Sequence, residues 1–305
     1  MPAPAIEFVP DTMGTPIEQR ALPVPAWTLA VAAMFTVQLG SALSLPLIDE
    51  VGPAGTAWLR LSAGALIFLA IARPPLRGLD RRDIPALVAL GVTTGVMTCL
   101  FLAAIDRIPL GTTVAIEFLG PLSVAAVRSH NRRALIWPAI ALIGVLLLTE
   151  PWHGSVNPAG IAFAAGSALG WAAYILLTQH IGDRFSGLNG LSLTMPVAAI
   201  TAAVVGIPQA HGHITLTTLA AAAGLAVLLP VLPFALEMTA LRHMTSSAFG
   251  TLMALEPAFG VVLGLIVLHQ HPSALQIVGV LLVVTAGAGA QRNGRRLTHP
   301  PAEVA

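Results

Sequence analysis

Four charged residues stand in stretches of this chain that are otherwise almost wholly apolar: Arg60 in AWLRLSAGA, Glu117 in VAIEFLGPL, Glu237 in PFALEMTAL and Glu256 in LMALEPAFG. A guanidinium presents a planar fork of donors that fits a carboxylate. A carboxyl group can hold an ammonium, or take up and release a proton. Groups of both signs therefore suit a zwitterionic solute that must exchange its hydration for partners of both signs. Gln38, with Gly40 and Ser41 beside it, adds an uncharged hydrogen-bonding group. Trp171 and Tyr174 are three apart and share one helical face, where they could form an apolar wall over a ligand. Each has a plainer alternative. Arg60 and Glu117 could brace two helices as an ion pair, Gln38 could bond a neighbouring helix, and Trp171 and Tyr174 could be ordinary core. Glu237, five residues before Arg242, reads as interfacial, with a gate or proton relay as the sharper alternative.

The elements that must position these residues follow from composition. Of 305 residues, 56% are hydrophobic and only 10% charged, with a mean hydropathy of +0.83. Soluble domains carry about 25% charged residues, so a water-soluble or disordered protein is excluded. Apolar runs near twenty residues recur from Pro25 to Gln291, each about what a roughly 30 Å hydrocarbon core requires. Breaks at charged, Pro-rich or His-rich positions divide them into ten helices, over 26–46, 54–72, 84–105, 109–127, 134–149, 157–180, 188–207, 216–240, 245–268 and 272–291. The runs lack the alternation of barrel strands and are about twice too long for them.

Arginine placement tests that count, since short cytoplasmic loops collect basic residues. All fifteen basic residues are arginine. With the N-terminus inside, thirteen fall on inner segments (Arg20, Arg73, Arg77, Arg81, Arg82, Arg128, Arg132, Arg133, Arg184, Arg242, Arg292, Arg295 and Arg296), only Arg107 falls outside, and Arg60 is intramembrane. The expectation is an all-α multi-pass protein with both termini cytoplasmic and tails over 1–24 and 292–305. The chain also repeats itself. Gly144-Val145-Leu146-Leu147 matches Gly279-Val280-Leu281-Leu282 at an offset of 135, and Pro121 falls on Pro257 at 136. Five helices per unit, over 25–150 and 151–291, force the second copy to enter from the opposite side. Inverted repeats of that kind are a transporter architecture, with the substrate site near the midplane.

Counting 1.5 Å per residue, Arg60 lies about 9 Å and Glu117 about 12 Å below the outer surface, and Glu256 about 16 Å from the inner one, near one common layer. A charge at such depth costs roughly 2.5–3.5 kcal/mol on insertion scales, so it should face a cavity or a partner. Pro121 and Pro257 are expected kinks, since proline leaves a carbonyl four residues back without its donor. Gly166 and Gly170, in G-x-x-x-G spacing, read as close helix packing.

Several chemistries are excluded or disfavoured. No lysine means no Walker A loop, and neither G-x-S-x-G nor H-E-x-x-H occurs, so no enzyme is expected. The pairs His211/His213 and His269/His271, with His153, read as near-neutral polar residues of outer loops; no metal or cofactor is expected. A basic nucleic-acid footprint is absent. Cys99 is the single cysteine and forms no intrachain disulfide.

The motifs around Glu117, Glu237 and Glu256, with GWAAYILLTQ around Trp171 and Tyr174, resemble the threonine/homoserine exporters of the EamA family of drug/metabolite transporters. FGTLMALEPAFG is the most specific stretch, and the likeness runs from the first helix to the tenth. It implies two inverted five-helix repeats in a bacterial inner membrane, in a monomer or homodimer, and export of amino acids driven by protons. On that implication Arg60, Glu117, Glu256, Gln38, Trp171 and Tyr174 bind substrate, and Glu117, Glu256 and Glu237 carry the coupling proton. The alternative on the same fold is a drug or other metabolite exporter.

Overall fold

The computed structural model describes residues 24–72, 82–128, 135–150, 157–181, 187–244 and 246–293. Residues 1–23 and 294–305 of the expected tails lie outside the described residues, as do His153 and Arg20, Arg73, Arg77, Arg81, Arg132, Arg133, Arg184, Arg295 and Arg296.

The described residues form helices and contain no strand. In chain order these are α1 (Ala26–Ala42), α2 (Leu45–Ala72), α3 (Ile84–Ile105), α4 (Leu110–Arg128), α5 (Ile136–Thr149), α6 (Pro158–Ile181) and α7 (Gly187–Ala210). Next comes α8, built from Leu216–Ala226, Val227–Val231 and Leu232–Leu241. Then follow α9, built from Ser246–Met253 and Glu256–Leu268, and α10 (Ala274–Asn293). Seven of the ten are long and apolar enough to cross a membrane; α1, α5 and the apolar part of α10 are shorter.

Three helices are broken, each with a local cause. α2 begins at Leu45, nine residues earlier than its hydropathy suggests, and breaks at Gly52-Pro53. Gly52 takes φ 75°, a left-handed value that a Cβ disfavours, and Pro53 has no N–H to continue the ladder. The restarted segment exposes free N–H groups, which the Gln209 side chain of α7 satisfies: its Oε1 accepts from Ala54 N at 2.7 Å and Gly55 N at 3.2 Å. In α8 a π-helical turn over Val227–Val231 contains Pro230 and an extended Leu229 (φ −157°, ψ 106°). In α9 the helix stops after Met253 and restarts at Glu256-Pro257, so Glu256 occupies the first turn, where the helix dipole favours a carboxylate. The expected kink at Pro257 is thus a full break. α4, by contrast, runs through Pro121 as one helix.

Packing sets which helices meet. α2 packs along α7, α3 along α6 and α7, α4 against α6 and α9, α5 along α10, and α1 against the 232–241 part of α8 and against α9. The largest core joins Phe68, Phe101, Leu102, Leu110, Val114, Met195 and Leu263. The polarity is that of a protein in lipid: Leu66, Leu169, Ile200, Val204 and Ile266 face outward, while Gln38, Ser44, Thr56, Arg60, Ser167 and Glu256 are buried.

Candidate functional site

The polar interior divides into two groups of residues. The first surrounds Arg60. Its side chain is only 4% exposed, and its Nη1 donates to Ser44 Oγ at 3.2 Å. Ser44 is itself fixed by donating to the Gly40 carbonyl at 2.7 Å, which leaves an oxygen lone pair for the guanidinium. The α1–α2 turn therefore orients the fork. No carboxylate oxygen among the described residues lies within 4 Å of it; an ion pair between exposed Arg107 and Asp106 lies elsewhere. The bracing pair with Glu117 is not formed. Within electrostatic reach of Arg60 is Cys99 of α3, and one turn before it lies Thr56, whose buried Oγ1 has no hydrogen-bond partner. Gln38 is 2% exposed, and its Oε1 also lacks a partner. Buried acceptors without donors favour a ligand or water that supplies them.

The broken part of α8 borders both flanking helices. A methyl at Gly40 would lie 3.1 Å from Leu229 Cβ, and one at Gly64, a turn beyond Arg60, 3.4 Å from Pro230 Cδ. The sequence reading missed this break, although Pro230 and Pro233, three apart inside an apolar run, signal it.

The second group is acidic. Glu256, 6% exposed, is within electrostatic reach of both Glu117 of α4 and Glu237 of α8. Glu237 in turn acts on Tyr174 of α6. Glu237, half-buried, therefore lies within reach of Glu256 and Tyr174 rather than standing alone, and its segment 232–241 touches residues 246–253 of α9. Trp171 meets Phe118, the neighbour of Glu117, edge to face with ring centroids 6.4 Å apart. Its ring thus packs in the apolar core between α4 and α6. Ser167 of α6 donates to Glu117 Oε1, a contact the sequence reading did not single out.

Close helix approach makes that contact possible. Gly166 and Gly170 of α6 admit Leu100 and Met97 of α3, where added methyls would stand 3.0 Å from their side chains. Gly120 abuts the backbone of Ala168, leaving no room for a side chain between α4 and α6. No group of His, Cys, Asp and Glu among the described residues could hold a metal ion. The geometry can thus bind an anion at Arg60 and a cation or proton among the carboxyls.

Comparison with known proteins identifies the family of this fold. Residues 158–289 match the model of the EamA-like transporter family. The chain is 34% identical over 293 residues to the threonine/homoserine exporter RhtA of Salmonella typhimurium (strain SL1344), covering 92% of this chain and 96% of that protein. It is 32% identical over 286 residues to the RhtA of Escherichia coli (strain K12), covering 90% and 94%. A solved crystal structure shares the fold at a TM-score of 0.59 and 18% identity, covering 88% of this chain and 99% of that one.

Proposed function

The chain belongs to the EamA-like transporter family, and on that premise we propose that it exports amino acids of the threonine/homoserine kind, or related small metabolites, by proton antiport across a bacterial inner membrane. The observation that carries the reading is the buried, unpaired Arg60. An insertion cost of that size is retained where a ligand supplies the missing counter-charge. Arg60 takes the substrate carboxylate, and Glu117 or Glu256 takes the ammonium or the coupling proton. Gln38 supplies a hydrogen-bonding oxygen, and Trp171 and Tyr174 wall the acidic side. The broken α9 at Pro257 and the continuous helix through Pro121 are the points at which the bundle flexes or holds.

Two five-helix units, 25–150 and 151–291, related by inversion, are part of this proposal. It is supported by a packing pattern much of which survives exchanging each helix with the one five later, the contact of α2 with α3 being an exception. α2 meets α7, α4 meets α9 and α5 meets α10; α3 meets α6 and α7 as α8 meets α1 and α2. The repeated glycines agree: a methyl at Gly144 would lie 2.6 Å from the Gly279 carbonyl oxygen, and one at Gly279 would lie 2.6 Å from that of Gly144. Equal reciprocal contacts are what a local two-fold axis between α5 and α10 produces. The arginine asymmetry supports cytoplasmic termini.

Uptake of labelled amino acids into everted membrane vesicles, with and without an imposed proton gradient, tests the reading. Accumulation of threonine or homoserine that collapses with a protonophore is expected. Gradient-driven uptake of other metabolites with no amino acid carried would place the chain among metabolite exporters instead.

A further inference from the structure

Ser167 has one hydroxyl proton and two acceptors within reach. One is Glu117 Oε1 and the other is the Met97 carbonyl oxygen of α3, at 3.3 Å. The side chain is fully buried, so no bulk water competes for either bond. One proton cannot serve both acceptors at full strength. We propose that Ser167 is the positioning residue for proton exchange at Glu117, a hydroxyl that reverses its hydrogen bond each time the carboxyl is charged or neutralised.

The reversal balances at every atom. With Glu117 ionised, Ser167 O–H donates to Oε1 and is the carboxylate's side-chain hydrogen-bond donor. When a proton from the aqueous phase binds the carboxylate, the new O–H donates to Ser167 Oγ, and the serine proton turns to the Met97 carbonyl. Loss of the proton to water restores the first state. A carrier must be stable in both protonation states while buried, and a donor-acceptor hydroxyl satisfies each, where alanine would satisfy neither.

The packing holds this hydroxyl in place from three helices. Gly120 brings α4 onto α6 beside Ala168, and Gly166 and Gly170 flank Ser167 and bring α3 close enough for the Met97 carbonyl to be reached. The other titratable groups around Glu117 are few. Among the described residues they are Glu256 on α9, Glu237 on α8 through Glu256, Tyr174 on α6, and Cys99 on α3 with Arg60 beside it on α2. α5 and residues 274–290 of α10 carry none. All of these remain unchanged when Ser167 is replaced.

This inference rests on the proton-coupled reading above, and two readouts separate the fate of each. Reconstituted wild type, Glu117→Gln, Ser167→Ala, Ser167→Cys and Ser167→Thr are compared by the pH profile of gradient-driven transport and by infrared titration of the carboxyl band. Ser167→Ala and the near-isosteric Ser167→Cys should move the midpoint of the band that Glu117→Gln abolishes upward by about 1 pH unit, since the charged form loses a charge-assisted bond stronger than the one the neutral form loses. The transport profile should follow, and Ser167→Thr should restore it. A band whose midpoint is the same in wild type, Ser167→Ala and Ser167→Cys overturns the role of Ser167. A wild-type transport profile in Glu117→Gln instead overturns proton coupling through Glu117, whatever the infrared midpoints show.

Discussion

Replacing Arg60 by lysine isolates what its fork contributes. Arg60 already spends Nη1 on Ser44 Oγ at 3.2 Å, and no carboxylate occupies the rest of the guanidinium. Its remaining N–H groups are therefore free to hold a substrate carboxylate through two bonds. Lysine keeps the positive charge but concentrates its donors on a single nitrogen, which cannot serve Ser44 and both carboxylate oxygens in that geometry. Loss of one charge-assisted hydrogen bond is worth about 1.5–3 kcal/mol, or roughly a tenfold to hundredfold loss in apparent affinity for the acid. An analogue with its carboxylate amidated lacks that interaction from the start and should lose little. Competition by acid and amide against labelled substrate, in proteoliposomes with matched protein content, measures the ratio directly. It should be high in wild type and fall by about the same tenfold to hundredfold in Arg60→Lys. An unchanged ratio in a variant that still transports would mean that the carboxylate binds elsewhere and would refute the reasoning.

Glu117→Gln and Glu256→Gln keep side-chain shape but abolish charge, so proton-driven transport should fall sharply in at least one while substrate exchange persists; wild-type driven rates in both would remove these carboxyls from coupling. Gly144→Ala or Gly279→Ala would set a methyl 2.6 Å from the partner's carbonyl oxygen, and either should destabilise the protein by about 1–3 kcal/mol, read as a lowered melting temperature in detergent. Equal losses for the two are expected from the reciprocal geometry, and a harmless substitution at either would contradict it. In a Cys99→Ser background, His213→Cys should label with an impermeant thiol reagent from outside intact cells and His243→Cys only from the cytoplasmic side, because the arginines collect at the His243 end. The reverse pattern would invert the topology.

Ten helices were legible in the sequence because lipid imposes a one-dimensional rule: a segment crosses if it is apolar over about twenty residues, whatever its neighbours are. The same rule made Arg60, Glu117 and Glu256 conspicuous, since a charge in an apolar run is costly wherever it packs. G-x-x-x-G over Gly166 and Gly170 announced close packing for a similar local reason. What hydropathy could not supply is where a helix breaks, because the cost of a break depends on who satisfies the freed backbone groups. Gln209, more than 150 residues away in sequence, caps the restarted α2, and nothing in the run around Gly52 names it. Partner choice was equally hidden. Arg60 and Glu117 share a depth, yet Arg60 turns to Ser44 and Glu117 to Ser167, because depth fixes one coordinate of a side chain and only the lateral packing of α3, α4 and α6 fixes the other two. Glu237 looked interfacial by counting residues from Arg242, yet it lies half-buried within electrostatic reach of Glu256, a proximity set by helix packing and not by its place in the run. Sequence thus determined which residues enter the membrane and which of them are too costly to be idle; the tertiary structure alone decided which of them meet.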